Sequence, residues 1–453
     1  MSQSDRPTAV LVAVKLPELG ESELEASLAE LGRLVTTLGY RVVARVVQAR
    51  SNLAPAAVLG EGKLKELADL TGGTGDAGPA IPRKVTKAQR RRDADEAPDS
   101  EPVEVENEQE AAAAKPKIDL VAVDHDIGPS QLRNLERATG TTVLDRTGII
   151  IEIFHRHARS REARLQVEIA RLNYSAPRLR ESGRGSERHH FRGAGDSALE
   201  LDRRRIRDRI AELRTELTNV QREQDLRRER RREARRVALV GYTNAGKSSL
   251  MRALTGSAVH VEDKLFATLD TTVRALHPPA HPRILISDTV GFIKKLPHDL
   301  VASFKSTLDE AVEASLLLHV VDAADPSWAE QLAVTRQVLA EIGAASGPSF
   351  VVMNKVDRLT AEELVRRKAE LPDAWFISAK SAADVASVRE RLIEFFEGTF
   401  VEAELVVPYD RQRWVSEMHE SGRVLEERYE EQGVVVRLRA DEDTLQRLRA
   451  RLS

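Results

Sequence analysis

Two rhythms of apolar residues alternate along this chain, and their order predicts its architecture. The run AVLVAVKL near the start is almost wholly apolar, as in a buried strand. From Glu21 to Leu38 the spacing becomes helical, with Leu24, Leu28, Leu31, Leu34, Val35 and Leu38 on one face, and Gly39 ends the helix. RVVARVVQ predicts a second strand, and Gly62–Leu70 a short helix after a Gly-x-Gly turn. IDLVAVD (118–124) is a third strand candidate, and Pro129–Thr139 a helix carrying Leu132 and Leu135. TTVLDR and GIIIEIF close this region. Strand–helix–strand order with apolar strands predicts a parallel sheet.

Two stretches depart from that rhythm. Residues 72–116 run from glycine-rich through a basic block (RKVTKAQRRR) to an acidic one, and bury too little apolar surface to offset ordering entropy. They read as a disordered insertion. Residues 155–235 read as an antiparallel helical hairpin. Its first helix carries Leu165, Ile169 and Leu172 and is expected to end at Pro177. The second, after Leu199, carries a heptad seam of Ile206, Ile210, Leu213, Leu217 and Val220. Four regions follow: an N-terminal parallel α/β domain (1–154), the hairpin (155–235), a doubly wound α/β domain (236–400) and a small α/β appendage (401–453).

Charge sharpens this picture. Over 453 residues Lys+Arg is 69 against 72 Asp+Glu, a net charge of −3. Residues 156–236 nonetheless hold 24 arginines, no lysine and 14 acidic residues, a local +10 that suits a polyanion. The last 53 residues hold 9 arginines and 12 acids, so they suit a protein contact or a structural role better than RNA. The chain has no cysteine, which excludes disulfides, thiolate zinc sites and a cysteine nucleophile. No apolar run approaches the roughly 18 residues of a membrane span. The expectation is a soluble cytoplasmic monomer that does not bind DNA, with peripheral membrane association left open. His189 and His190, among arginines and without acidic ligands, read as solvated loop residues.

The candidate chemistry begins at RRVALVGYTNAGKSSL (235–250). A buried strand leads into Gly241, four residues, then Gly246, Lys247 and Ser248, the G-x-x-x-x-G-K-S phosphate loop. Its members (Gly241, Tyr242, Thr243, Asn244, Ala245, Gly246, Lys247, Ser248, Ser249) are placed to cradle phosphates with backbone N–H groups at a helix start. Lys247 would reach the β- and γ-phosphates, and the Ser248 hydroxyl a Mg²⁺ ion. RILISDTVGF ends a strand in Asp288, Thr289, Val290 and Gly291. There the carboxylate can hold Mg²⁺ and the Gly291 N–H can grip the γ-phosphate. FVVMNKVD ends in Asn354, Lys355, Val356 and Asp357. The Asp357 carboxylate can accept both N1–H and the 2-amino group of guanine, which adenine does not offer. WFISAK ends in Ser378, Ala379 and Lys380, with backbone N–H available to guanine O6 and the Lys380 stem to the ring face. LFATLDTTVR (265–274) offers threonines to the metal. In a doubly wound fold such strand-end loops meet where a nucleotide sits. GTP or GDP with Mg²⁺ is the expected ligand set.

With these motifs the sequence resembles the HflX family of ribosome-associated GTPases. GYTNAGKSSL, FATLD, DTVGFI, NKVD and SAK are similar to that family's nucleotide signatures. The stretch from Pro129 to Arg180 and the turn LGEGKLKEL resemble its upstream regions. The resemblance implies that Phe266, Ala267, Thr268, Leu269 and Asp270 form the first switch, with Thr268 on the metal, and that Lys247, Thr268 and Gly291 act on the γ-phosphoryl group. It also implies a GTP form that binds the large ribosomal subunit through rRNA, splits stalled or idle ribosomes and leaves on hydrolysis. Thr271 stands where that family usually has proline, and Thr272 follows, so the metal-binding threonine is not fixed by sequence. The hairpin loop (183–196) also departs from the family's wording. Phe292 follows Gly291 where many GTPases place a glutamine, and it can neither donate nor accept. Slow intrinsic hydrolysis is expected. One competing reading makes Gly60–Lys63 an ATP-binding turn of an RNA helicase or remodeller, although it lacks the four-residue gap and the Ser/Thr. Another keeps the GTPase as an assembly or signalling switch without splitting activity.

Overall fold

The computed structural model describes residues 6–77, 118–182, 194–229, 235–256, 265–266, 272–280, 283–294, 305–345, 347–398 and 400–452. The chain folds into two compact units. One comprises Met1–Ile153 with Asn173–Ile206, the other Phe154–Leu172 with Arg207–Ser453.

The first unit is built on a four-stranded parallel sheet in the order β2-β1-β3-β4, from β1 (Thr8–Lys15), β2 (Arg41–Ala49), β3 (Ile118–Val123) and β4 (Thr142–Asp145). Helices Glu21–Thr37, Glu61–Thr71 and Pro129–Thr139 connect the strands, as the helical spacing requires. One apolar cluster includes Val10, Val12, Val14, Leu67, Val121, Val123 and Leu135. Gly72–Ala77, assigned by composition to the insertion, belongs to the fold. Gly73 lies so close to the end of helix Pro129–Thr139 that a Cβ would sit 2.2 Å from Ala138 O, and Ala77 packs on the core. The remainder of that stretch lies outside the described residues. GIIIEIF, whose β-branched run would suit a strand, lies in helix Arg146–His157, with Ile149, Ile150, Ile153 and Phe154 buried.

The helix expected to stop at Pro177 runs through it, from Arg161 to Ser182. Proline removes a helical N–H and crowds the preceding turn. Here tertiary bonds hold the turn around it. Tyr174 Oη donates to Asp145 (2.6 Å), Arg178 Nη2 donates to the same carboxylate (2.8 Å), and Arg178 Nη1 donates to Tyr174 O (2.7 Å). The guanidinium also lies 3.3 Å from the Tyr174 ring centre. Beside Asp145 the unit buries a charge triad. Arg146 is 2% exposed and pairs with Asp124 (2.8 Å) and with Glu30, while Ser27 donates to Asp124. The Gly60 turn is an ordinary helix start with φ −74°, and Lys63 is paired with Glu66 one turn on.

In the second unit, Leu165 and Ile169 pack with Leu213, flanked by Leu172, Ile210, Leu217 and Val220. Arg161 Nη2 donates to Glu216 (2.7 Å) across the same pair of helices. The main sheet has the order β10-β9-β8-β5-β7-β6, from β5 (Arg235–Val240), β6 (Thr272–Ala275), β7 (Ile284–Asp288), β8 (Leu316–Asp322), β9 (Ser349–Asn354) and β10 (Trp375–Phe376). All its pairs are parallel except β6 with β7. Its apolar strands pack against helices Lys247–Thr255 and Ala382–Glu397 through Leu250, Leu254, Val388 and Leu392. At the C-terminal end β11 (Val401–Val407), β12 (Arg423–Glu430) and β13 (Gly433–Ala440) form an antiparallel sheet in the order β11-β13-β12, with helices Arg413–Ser421 and Glu442–Leu452. Among the described residues no helix is long and apolar enough to cross a membrane.

Candidate functional site

Four loops leave the carboxyl ends of β5, β7, β9 and β10, and hydrogen bonds join them. The first turns from β5 into helix Lys247–Thr255 through three residues of positive φ: Gly241 (152°), Asn244 (61°) and Gly246 (97°). The two glycines are also required by space. A Cβ on Gly241 would lie 2.1 Å from Val320 O, and one on Gly246 would lie 2.2 Å from Asn354 Nδ2.

Lys247 is buried, and its ammonium donates to the carbonyls of Gly241 (3.1 Å) and Tyr242 (2.8 Å). Burial, aided by the nearby Lys355 charge and opposed by Asp288, lowers its pKa to about 8. Phosphate charge stabilises the ammonium form, so the pKa rises when a nucleotide binds. Above pH 8 the free protein progressively loses the proton, whereas a phosphate complex would keep it. Triphosphate binding is therefore expected to take up as much as one proton between about pH 8 and 9, and to weaken by up to about tenfold per pH unit there. Calorimetry in buffers of different ionisation enthalpy checks this: heats that do not vary with the buffer would refute it.

Ser248 Oγ donates to Asp288 Oδ2 (2.6 Å), joining the helix start to the end of β7. Asp288 is fully buried. A serine hydroxyl and a carboxylate on adjoining elements are the hard oxygen donors that Mg²⁺ takes, so these residues fit the ion. The following residues fix the backbone. Thr289 Oγ1 donates inward to Leu239 O (2.8 Å), and Val290 is buried. Phe292 is wholly buried. Its N–H donates to Gly241 O (3.1 Å), and its carbonyl accepts from Thr243 N (2.8 Å). Gly291 is thereby held against the phosphate loop. A Cβ there would lie 2.8 Å from Thr243 Cγ2 and 3.0 Å from Lys247 Nζ.

At the other end, Asn354 joins two loops. Its Nδ2 donates to Ala245 O (2.9 Å), and its Oδ1 accepts from Ala379 N (3.0 Å). Lys355, at φ 64°, donates to Asn244 O (2.6 Å) and to Asp322 Oδ2 (2.7 Å). Sequence reading assigned neither of these anchoring roles. The acid at the end of β8 is the one signal that could have pointed to Lys355. Asp357 Oδ1 accepts from Ser378 Oγ (2.7 Å), and Lys380 Nζ lies 3.5 Å from Oδ2. The Ser378 bond, then Lys380, hold this carboxyl below the usual carboxylate range, so it is ionised at neutral pH. Ser378 N donates to Asp384 Oδ2 (2.7 Å), which fixes the Ser-Ala-Lys turn.

The structure thus brings together Gly241–Ser248, Asp288–Gly291, Asn354–Asp357 and Ser378–Lys380. Ser249 follows in the first turn of the helix, and Val356 N donates to Ile377 O (3.2 Å). Tyr242 and Ala245 are buried. Of the first switch, Phe266 is buried with φ 56°, and its ring meets Phe154 edge-on at 4.6 Å. Ala267, Thr268, Leu269, Asp270 and Thr271 lie outside the described residues, as do His189 and His190. Thr272 lies on β6, in register with Asp288.

Three family profiles match the chain in succession. "GTP-binding GTPase N-terminal" matches residues 25–91 and 86–155, "GTP-binding GTPase Middle Region" 157–231, and "50S ribosome-binding GTPase" 236–355. A protein named GTPase HflX from Gluconacetobacter diazotrophicus is 58% identical over 447 residues, spanning 99% of this chain and 98% of its own. Another from Caldanaerobacter subterraneus subsp. tengcongensis is 38% identical over 457 residues, spanning 98% and 94%. Among solved structures, a GTP-binding protein of Sulfolobus solfataricus in complex with GDP aligns with a TM-score of 0.42 at 22% identity, covering 85% of this chain and 99% of that one.

Proposed function

The chain belongs to the HflX family of GTPases, and from that premise we propose a ribosome-associated GTPase that binds the large subunit in its GTP form, splits stalled or idle ribosomes and departs on hydrolysis. The observation that carries the nucleotide reading is the joining of a strained phosphate loop to an ionised, serine-held carboxylate through Asn354. The ribosomal part rests on the family, on the profile described as 50S ribosome-binding, and on the arginine-only segment of net charge +10.

Phosphoryl transfer asks mainly for positioning and charge stabilisation. Backbone N–H groups of Asn244–Ser248 receive the phosphates, and Lys247 exchanges its carbonyl partners for phosphate oxygens. The Gly291 N–H donates to the γ-phosphoryl group. Asp357 reads guanine, with the Lys380 stem along its ring, while the Ala379 N–H stays with Asn354 Oδ1. Ser248 and Asp288, with Thr268 as the family resemblance implies, would hold Mg²⁺, which would supply neutralising charge to the phosphates. The position after Gly291 gives the attacking water no polar side chain, because Phe292 is buried in the link between Gly241 and Thr243. Hydrolysis by the free chain is accordingly slow, and the ribosome completes the site.

Single-turnover GTP hydrolysis with and without large subunits tests the cycle, together with gradient sedimentation of intact ribosomes incubated with the protein and a non-hydrolysable GTP analogue. The expected results are acceleration by ribosomes and conversion of intact particles to subunits. Phosphate contacts dominate RNA affinity, so binding should weaken steeply with salt. Fast hydrolysis by the free chain, or intact ribosomes under saturating protein, would contradict the cycle.

A further inference from the structure

We propose that the Thr243 hydroxyl is the group by which this phosphate loop tells a triphosphate from a diphosphate, donating a hydrogen bond to an oxygen of the γ-phosphoryl group. The inference rests on the reading of the site as a GTP site. Thr243 is 7% exposed, and its Oγ1 is enclosed without a hydrogen-bond partner. Among the described residues, the other buried threonines of this unit all donate: Thr255 to Met251 O, Thr289 to Leu239 O, Thr335 to Gln331 O and Thr444 to Asp441. Native proteins seldom leave such a group unmatched, because it loses its bonds to water and gains none in return.

The position of Thr243 indicates its missing acceptor. Its N–H is committed to Phe292 O, so the residue cannot shift without breaking the link between the loops. Gly291 neighbours both Thr243 and Lys247: a Cβ on it would meet the threonine methyl at 2.8 Å and the ammonium at 3.0 Å. Lys247 is the group that reaches the β- and γ-phosphates, and Gly291 N–H the one that grips the γ-phosphate. Thr243, Lys247 and Gly291 therefore surround the place assigned to the third phosphate. A γ-phosphoryl group there brings charged acceptor oxygens to a donor that lacks one. A diphosphate leaves the hydroxyl as it stands. Since only the triphosphate complex gains this bond, the hydroxyl shifts preference between nucleotides and adds little to affinity for both.

Thr243→Val keeps the shape and removes the donor, whereas Thr243→Ser keeps the donor. The full chain is titrated calorimetrically with GDP and with a non-hydrolysable GTP analogue. Thr243→Val is expected to lower the ratio of analogue affinity to GDP affinity about tenfold, equivalent to about 1.4 kcal/mol. Thr243→Ser should stay within about threefold of wild type. GDP binding shows that each variant is folded, and Thr243→Ala carries the same comparison if valine is not accommodated. A wild-type ratio in the hydroxyl-free variants, or a serine variant as impaired as valine, would overturn the inference while leaving the GTP reading intact. A wild-type chain that binds neither nucleotide overturns both.

Discussion

Replacing Asp357 by asparagine is expected to lower affinity for GTP by about 10²–10⁴-fold and to raise it for xanthosine triphosphate. The carboxylate is ionised and aligned before any base arrives, with Ser378 Oγ on one oxygen and Lys380 near the other. Each carboxylate oxygen has a second lone pair, so both stay available to the N1–H and 2-amino donors of guanine. The asparagine amide keeps one acceptor and sets its NH₂ against the 2-amino group, donor to donor. Xanthine carries a carbonyl at that position and accepts from the same NH₂. Adenine offers neither pattern, so ATP should bind poorly to both proteins. Competition of GTP, xanthosine triphosphate and ATP for a fluorescent guanine nucleotide reads the result. An unchanged order of preference would remove Asp357 from the base site.

The second large effect falls on stability. Arg146→Ala should destabilise the N-terminal sheet by about 3–5 kcal/mol, because it leaves Glu30 and Asp124 buried without their cation. The loss is greater than the net contribution of the ion triad, since desolvation of two carboxylates is no longer offset. Arg146→Lys is not a conservative repair, because one ammonium does not reproduce a planar fork that reaches two acids. Hydrogen exchange at the β1 amides of the full chain reports on this sheet by itself. Protection lowered by less than about 1 kcal/mol would show that the triad is dispensable.

How much of this could be read from the chain depended on how local the cause was. The phosphate loop was legible because its geometry is set within eight residues, where two glycines meet both a φ requirement and a clash. Asp357 stood out because guanine recognition asks for one residue type at a strand end, and the structure sets its carboxylate beside Ser378 and Lys380. The ties between loops were not. Nothing in the sequence pairs Asn354 with Ala245, or Lys355 with Asp322, since those contacts exist only after distant strands are side by side. Pro177 misled for the same reason: its local penalty was visible, and the Asp145 carboxylate that anchors Tyr174 and Arg178 around it lies about thirty positions upstream. The burial of Arg146 was equally hidden, because a lone arginine after a strand resembles any surface cation. GIIIEIF shows that β-branched residues do not fix a strand when a helix face can bury them.

The Asn354 side chain has one last implication. A single amide ties the loop assigned to the phosphates to the turn assigned to the purine, so the two ends of a bound nucleotide would share a mechanical fastening. Slackening at either end is transmitted to the other, and a half-released nucleotide has no stable resting place. Departure of the diphosphate is then expected to follow one exponential, and whatever pries at the Ser-Ala-Lys turn to hasten the escape of the whole molecule.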